Sequence, residues 1–319
     1  MRIVIMTDSY LPTIDGVVTA VLVTRRCLEA LGHKVFIVAP DPGPEFREEG
    51  VYYFRAVKLR TYSGYYVPMF PSNKVELLKQ LKPDIIHVRG VAFMAEKALI
   101  AGHELGIPVV ITYDTAVTEV VDQYSPIKLP KNTLRELTKR YLKILLGRSD
   151  AVIVPTESIE KELLNSIGVQ PKKIAVIPTG IDTEKFSKTD AGAALREKYG
   201  LTGKRILLYV GRLSVEKNLP LLIRSLHELP EDVHLLIVGS GPSKDELEGL
   251  VEELGLDERV TFVGYLHDKD LVDHYSCADA FVSPSMFETQ GFTVQEAMSC
   301  GLPVACARGR AYTQLVNGG

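Results

Sequence analysis

The chain has 319 residues, 46% of them apolar and 24% charged, with a formal net charge of −3 and a pI near 6.2. That length favours two cores over one, and the slightly acidic balance argues against bulk nucleic-acid binding, which needs a strongly basic domain. No run of about 18 uncharged apolar residues occurs, so no membrane-spanning helix is expected.

The opening MRIVIMTDSY reads as a buried strand, because its apolar stretch is short for a signal segment and acidic Asp8 follows at once. Ile3-Val4-Ile5 leads into a helical pattern from about Val17 to Leu31. Further strands are expected at Val35–Val38, Ile85–Val88, Val109–Ile111 and Ala151–Val154, with helical patterns at about 73–81, 92–105 and 131–147 between them. Continuous apolar strands without in–out alternation are buried on both faces, as in a parallel sheet covered by helices. Strand–helix–strand repetition predicts an α/β doubly wound domain.

The pattern restarts at Ile206–Val210 and continues through Val233–Val238, Val260–Val263 and Ala280–Val282, with helices expected at about 215–227, 243–254 and 268–276. The polar, glycine-bearing stretch 187–203 is predicted to be a linker between a first domain, 1–186, and a second, 204–319. Val304-Ala305-Cys306 reads as one more strand, after which the chain reaches Asn317-Gly318-Gly319; the second sheet is expected to be incomplete and the chain truncated. Two such domains would leave a ligand cleft at the carboxyl ends of their sheets. Cys27, Cys277, Cys300 and Cys306 form no C-x-x-C pair and no His stands at zinc spacing, so reduced thiols are expected.

Three segments carry chemistry. In FETQGFTVQEAM, Glu288 and Glu296 are separated by seven residues around Gly291, and the apolar run beyond Gly291 reads as a helix start. Free backbone N–H groups and the positive end of the helix dipole suit an anionic or hydroxyl-rich ligand there, although acids near a helix start are also common without any ligand. In VGRLSVEKN, Arg212 and Lys217 leave a strand's carboxyl end together; Arg offers a planar fork and Lys a point charge for a diphosphate. In TDSYLPTIDGV, Gly16 lies in the first strand-to-helix connection, where an α/β domain carries its anion-binding turn. The GSGP turn after Val238 is weak as a phosphate loop and reads as a plain strand-to-helix turn.

Taken together, TDSYLPTIDGV, IVPTESIEKEL, IPTGIDTEKF, GRLSVEKN, VGSGP and FETQGFTVQEAMSCGLPV make the chain resemble the retaining GT-B glycosyltransferases of the glycosyltransferase-4 family, over nearly its whole length. The resemblance implies two Rossmann-like domains, an acceptor domain followed by a nucleotide-sugar donor domain. It implies transfer of a hexose of the glucose, mannose or galactose type from a nucleoside-diphosphate sugar to a lipid or glycan hydroxyl. No cofactor and no metal are expected, and retention is expected to follow from front-face attack rather than an enzyme nucleophile. Gly16 would contact the diphosphate by its N–H, and Arg212 and Lys217 would neutralise it as it leaves. Glu288 would hold the sugar hydroxyls with backbone N–H groups of Gln290, Gly291 and Phe292. Glu296 would grip the ribose, and Asp8 would stand near the acceptor hydroxyl.

One residue departs from the family pattern. Tyr113-Asp114-Thr115 carries Asp where the resemblance leads one to expect His near the donor sugar. Asp114 is thus a candidate catalytic position of altered charge, and Asp114→His is expected to raise turnover if the family role applies. Two other readings stay open: a nucleotide-sugar epimerase or hydrolase, and a catalytically impaired nucleotide-sugar-binding variant.

Residues 129–148 form a basic helical pattern in which Lys131, Arg135, Lys139, Arg140, Lys143 and Arg148 interleave with leucines. Arg55, Lys58, Arg60, Tyr62, Tyr65 and Tyr66 add a basic and aromatic segment. A core-facing helix with a solvated charged face is one reading; peripheral contact with an anionic membrane by a cytoplasmic enzyme is the other.

Overall fold

A computed structural model describes residues 1–13, 15–58, 66–68, 74–118, 121 and 129–316. Two compact units emerge, Met1–Gly180 and Ile181–Gly319.

In the first unit β1 (Arg2–Thr7), β2 (Lys34–Pro40), β3 (Val51–Phe54), β6 (Ile85–Arg89), β7 (Val109–Thr112), β8 (Ala151–Val154) and β9 (Ile174–Val176) form a seven-stranded sheet in the order β3-β2-β1-β6-β7-β8-β9. Every pairing in it is parallel. A separate antiparallel pair joins β4 (Ala56–Lys58) to β5 (Tyr66–Pro68). Helices among the described residues include α1 (Gly16–Ala30), α2 (Lys74–Leu81), α3 (Phe93–Leu105), α4 (Lys131–Arg148) and α5 (Glu157–Lys161). Burial on both faces follows from the strand period of two. In β1, Ile3 and Ile5 pack with Val21, Val35 and Ile37, while Val4 and Met6 pack with Val38, Ile86 and Val88.

The second unit repeats the plan. Strands β10 (Arg205–Val210), β11 (Val233–Val238), β12 (Val260–Gly264), β13 (Ala280–Ser283) and β14 (Val304–Cys306) form a five-stranded parallel sheet in the order β12-β11-β10-β13-β14. Around it lie α6 (Gly192–Lys198), α7 (Leu219–Ser225), α8 (Lys244–Glu253), α9 (Asp268–Cys277), α10 (Phe292–Ser299) and α11 (Tyr312–Leu315). Its two faces have separate cores: Ile206, Leu208 and Leu236 on one side, Tyr209, Leu235 and Ile237 on the other. Burying such a side chain stabilises by about 1.5–3 kcal/mol.

Residues 187–203, expected as a linker, are folded into the second unit. Gly192 opens α6 against α9, where a Cβ would meet the Ser276 carbonyl oxygen at 2.5 Å. Arg196 bonds the Cys277 carbonyl at 2.8 Å and Asp279 at 2.7 Å, and the Thr189 hydroxyl bonds Asp273 at 2.6 Å. The 215–227 pattern is also not one helix. It opens as a tight turn at Val215–Lys217, and Asn218 takes a left-handed conformation at φ 55° before α7 starts with Pro220 in its first turn. All four cysteines are unpaired.

Open parallel sheets gather ligands at the carboxyl ends of strands where the strand order reverses. That point falls between β1 and β6 in the first unit and between β10 and β13 in the second.

Candidate functional site

The second unit's reversal point is built from backbone. The Gly211 N–H donates to the Val238 carbonyl, Leu213 N–H to the Ser240 carbonyl, and Ser243 N–H back to the Leu213 carbonyl, each at 3.0 Å. Gly239 has φ 139°, and a Cβ there would fall 1.9 Å from the Gly211 oxygen. Residues 239–241 therefore back the loop that follows β10; glycine is required because two backbones touch. The Tyr209 hydroxyl adds a bond to the Arg212 carbonyl at 3.2 Å.

That loop presents Arg212 half-buried and brings Lys217 to the loop after β13, where Lys217 Nζ lies 2.5 Å from Glu288 Oε1. Both side chains are about four-fifths buried, at 22% and 21% exposure, so water screens the pair only partly. Burial holds the Tyr209 phenol well above its ordinary range, with the Glu288 charge adding to it. Burial also pushes the Cys306 thiol up to about 11, again with Glu288 adding.

Gly291 turns the chain into α10 with φ 75°, under the ring of Tyr312; a Cβ would meet that ring at 2.8 Å. Tyr312 is anchored by a 2.9 Å bond between its hydroxyl and Ser283. Gln290 is buried just before the turn, and Phe292 begins the helix, whose first N–H groups have no intrahelical acceptor. One turn on, Glu296 is buried at 8% exposure and accepts the Tyr275 hydroxyl at 2.8 Å through Oε2. Burial raises the Glu296 carboxyl, while the Tyr275 bond and the Lys185 charge oppose it. Glu288 and Glu296 thus have separate surroundings: a lysine and the Tyr209–Tyr312 side for one, Tyr275 and Lys185 for the other.

In the first unit, Asp8 follows β1 directly. Its Oδ1 accepts the Met94 N–H at 3.0 Å, and its Oδ2 is buried without a hydrogen-bond partner. Burial pushes its carboxyl up to about 7, against the opposing effect of the Met94 and Ala92 N–H groups, and Glu96 adds to the rise. Asp114 follows β7 and lies 3.3 Å from the Arg89 guanidinium, with side-chain exposures of 12% and 5%. Burial raises the Asp114 carboxyl, and Arg89 opposes the rise. Arg89 also donates to the Thr179 hydroxyl at 3.2 Å. The negative charge that departs from the family pattern therefore has a buried counter-charge. Gly16 is the first residue of α1, and the same helix start holds the Asp15 carboxylate, which accepts the Val18 N–H at 2.8 Å and the Ser9 hydroxyl at 3.1 Å. An anion at Gly16 would share that helix start with a carboxylate.

Within the second unit the structure brings Lys217 together with Glu288; in the first, Asp8 and Asp114 follow β1 and β7, the strands on either side of β6. Arg89 and Lys185 were not singled out by sequence. A basic residue closing an apolar strand before Gly90, and the Lys of the IDTEKF segment, were the available signals. Among the described residues no group of three His, Cys, Asp or Glu side chains is placed to hold a metal ion.

The basic segment around Arg55–Tyr66 lies largely outside the described residues. The basic helix is α4. Leu134, Leu142, Leu145 and Leu146 face inward, while Leu137 and Ile144 are 53% and 48% exposed beside exposed Arg140, Lys143 and Arg148. No helix among the described residues is long and apolar enough to cross a membrane.

Two Rossmann-like parallel-sheet units in one chain, with cations and carboxylates at the reversal point of the second, define the GT-B architecture of sugar-transferring enzymes. The chain belongs to Glycosyltransferase Family 4, whose profile matches residues 14–185, and the profile of glycosyl transferases group 1 matches residues 193–319. It is 31% identical to the alpha-monoglucosyldiacylglycerol synthase of Streptococcus pneumoniae, over 98% of this chain and 72% of that one. It is 28% identical to a GDP-mannose-dependent alpha-mannosyltransferase of Corynebacterium glutamicum, over 100% and 75%. In fold it is similar to Anabaena HepE, solved in complex with UDP, at TM-score 0.78, 21% identity and 100% and 84% coverage. It is also similar to the sucrose-phosphate synthase of Thermosynechococcus elongatus, at TM-score 0.77, 23% identity and 99% and 84% coverage.

Proposed function

We propose that this glycosyltransferase moves a hexose of the glucose, mannose or galactose type from a nucleoside-diphosphate sugar to a hydroxyl of a lipid or glycan acceptor. The anomeric configuration is retained and no metal ion or other cofactor takes part. The observation that carries the reading is the Lys217–Glu288 pair beside Arg212 at the reversal point of the second sheet. Fixed cations suit a diphosphate, and an adjacent carboxylate suits sugar hydroxyls.

In this reading Arg212 and Lys217 stabilise the departing diphosphate, doing the work a metal ion would otherwise do. Glu288 and the N–H groups of Gln290, Gly291 and Phe292 hold the sugar, and Glu296 accepts from the ribose. Gly16 donates its N–H to the diphosphate. Asp8, with a carboxyl near neutrality, takes the acceptor proton, since a general base works best with a pKa near the operating pH. Asp114, kept in place by Arg89, accepts from a substrate hydroxyl.

Retention is supported by the relatives named for alpha-glycosides, because an alpha-glycoside made from an α-linked nucleotide sugar is a retained product. A lipid acceptor is supported by the relative named for a diacylglycerol glucoside and by the outer face of α4, whose exposed Leu137 and Ile144 stand among basic residues. The proposed place of action is the cytoplasmic side of a membrane, with α4 in peripheral contact.

The test is product analysis by proton NMR, run with excess chelator. An alpha-glycoside formed at an undiminished rate is expected. A beta product contradicts retention, and loss of activity that added metal restores contradicts metal independence.

A further inference from the structure

Helix α3 has no cap of its own. Its N-cap position is Ala92, which has no side-chain oxygen, and the acceptor for the second helical N–H, that of Met94, is the Asp8 carboxylate, 86 residues away in sequence. Asp8 is therefore oriented by the start of α3. That start is held from the other side by α4. The Tyr141 hydroxyl donates to the Val91 carbonyl at 2.8 Å and lies 3.3 Å from the Ala92 carbonyl. The ring of Tyr141 packs against the first unit's main core, so the hydroxyl has a fixed origin. One turn away on the same helix, Leu137 and Ile144 face solvent.

We propose that Tyr141 is a positioning residue for Asp8: its hydroxyl fixes the start of α3, whose Met94 N–H aims the Asp8 carboxylate. The inference rests on the reading of Asp8 as the group that takes the acceptor proton. It assigns a role to a side chain that touches no substrate, and it makes the seating of α4 bear on the reactivity of Asp8. The groups acting electrostatically on Asp8 are Glu96 on α3 and Tyr141 on α4. The Met94 N–H bond lowers the Asp8 pKa, so loosening it raises that pKa.

Four forms of the chain test this: wild type, Tyr141→Phe, Asp8→Asn and the double variant, each with full kcat/KM profiles against pH. Tyr141→Phe keeps the ring and removes only the hydroxyl. It is expected to lower kcat about fivefold, to leave the donor KM unchanged, and to move the acid limb up by about half a unit. Asp8→Asn is expected to abolish that limb, and Tyr141→Phe is expected to have no further effect in its background. Titration of the Asp8 carboxyl by carbon-13 NMR, in wild type and Tyr141→Phe, reads the same shift without turnover. An acid limb and an NMR titration both unmoved in Tyr141→Phe overturn the positioning role. A limb that survives Asp8→Asn overturns the proton-accepting role of Asp8, and the inference as stated falls with it, whereas the NMR shift still reports whether Tyr141 orients the carboxylate.

Discussion

Lys217 Nζ lies 2.5 Å from Glu288 Oε1, so the loop after β10 and the loop after β13 are joined by an ion pair at the reversal point of the second sheet. The two partners have different proposed ligands, a diphosphate for the lysine and sugar hydroxyls for the carboxylate. Glu288 therefore competes with a phosphate oxygen for Lys217.

That competition sets opposite outcomes for the two variants. Lys217→Ala is expected to weaken nucleoside-diphosphate binding about 10- to 100-fold, the value of one charge-assisted hydrogen bond. Glu288→Gln is expected to tighten nucleoside-diphosphate binding severalfold while lowering hexosyl transfer by about 100-fold or more. Isothermal titration calorimetry with UDP and GDP, beside transfer rates, separates the two. Weaker diphosphate binding in Glu288→Gln contradicts the competition.

Arg89 reverses what the family pattern implies for position 114. Asp114 neutralises a guanidinium that is 5% exposed. A protonated imidazole there would face a like charge, so Asp114→His is expected to lower turnover about tenfold rather than raise it. Asp114→Asn leaves Arg89 buried without its counter-charge and is expected to cost on the order of 3 kcal/mol of stability. Urea denaturation and steady-state rates check both; an Asp114→His variant faster than wild type would falsify the pairing as a functional feature.

Asp8 makes stability depend on pH in a direction opposite to that of a salt-bridged carboxylate. Its carboxyl is raised from 3.8 to about 7 in the folded chain, so between those values the folded state binds more protons than the unfolded one. The stability it contributes is complete below the unfolded value and is lost as pH rises through about 7. Asp8→Asn is expected to be more stable than wild type at about pH 8, on the order of 2 kcal/mol, and to show no such gain near pH 4. Thermal melts across that range are the check. A gain that is equal at both ends rules out the titration of Asp8 as its cause.

The outer face of α4 supplies a separate test of the lipid-surface reading. Replacing Arg140 and Lys143 by Glu is expected to reduce sedimentation with anionic vesicles at least tenfold, because each basic residue near such a surface contributes about 1 kcal/mol. Wild-type binding is expected to weaken as salt rises. Equal binding of wild type and variant, or binding indifferent to salt, counts against membrane contact through α4.

The strands were the most legible part of the chain. Runs such as Ile206–Val210 and Val233–Val238 are continuous and β-branched or leucine-rich, and only a doubly covered parallel sheet buries them on both faces. The short edge strands β3 and β9 were not legible, since runs of four and three residues carry no usable period. Residues 187–203 read as a linker because composition was all the sequence offered; the close approach of Gly192 to Ser276 and the bonds of Arg196 exist only once α9 is in place. In the site, Glu288, Lys217 and Asp8 were visible as residue types at strand ends. That Lys217 and Glu288 pair was not, nor were the partners of Asp8, Asp114 and Glu296. Arg89 meets Asp114, Tyr275 meets Glu296 and Met94 meets Asp8 across separations that only the order of the strands brings together.

Hexosyl transfer from a nucleotide sugar is tested most directly by incubating the chain with UDP-glucose, UDP-galactose and GDP-mannose in turn, with diacylglycerol vesicles as acceptor, and quantifying free nucleoside diphosphate and glycoside by mass spectrometry. One donor is expected to give diphosphate and glycolipid in equal amounts, and Lys217→Ala and Glu288→Gln are expected to lower both together. Consumption of a donor to free or isomerised sugar with no glycoside, by these vesicles or by glycan acceptors, would contradict transfer as the activity of this chain.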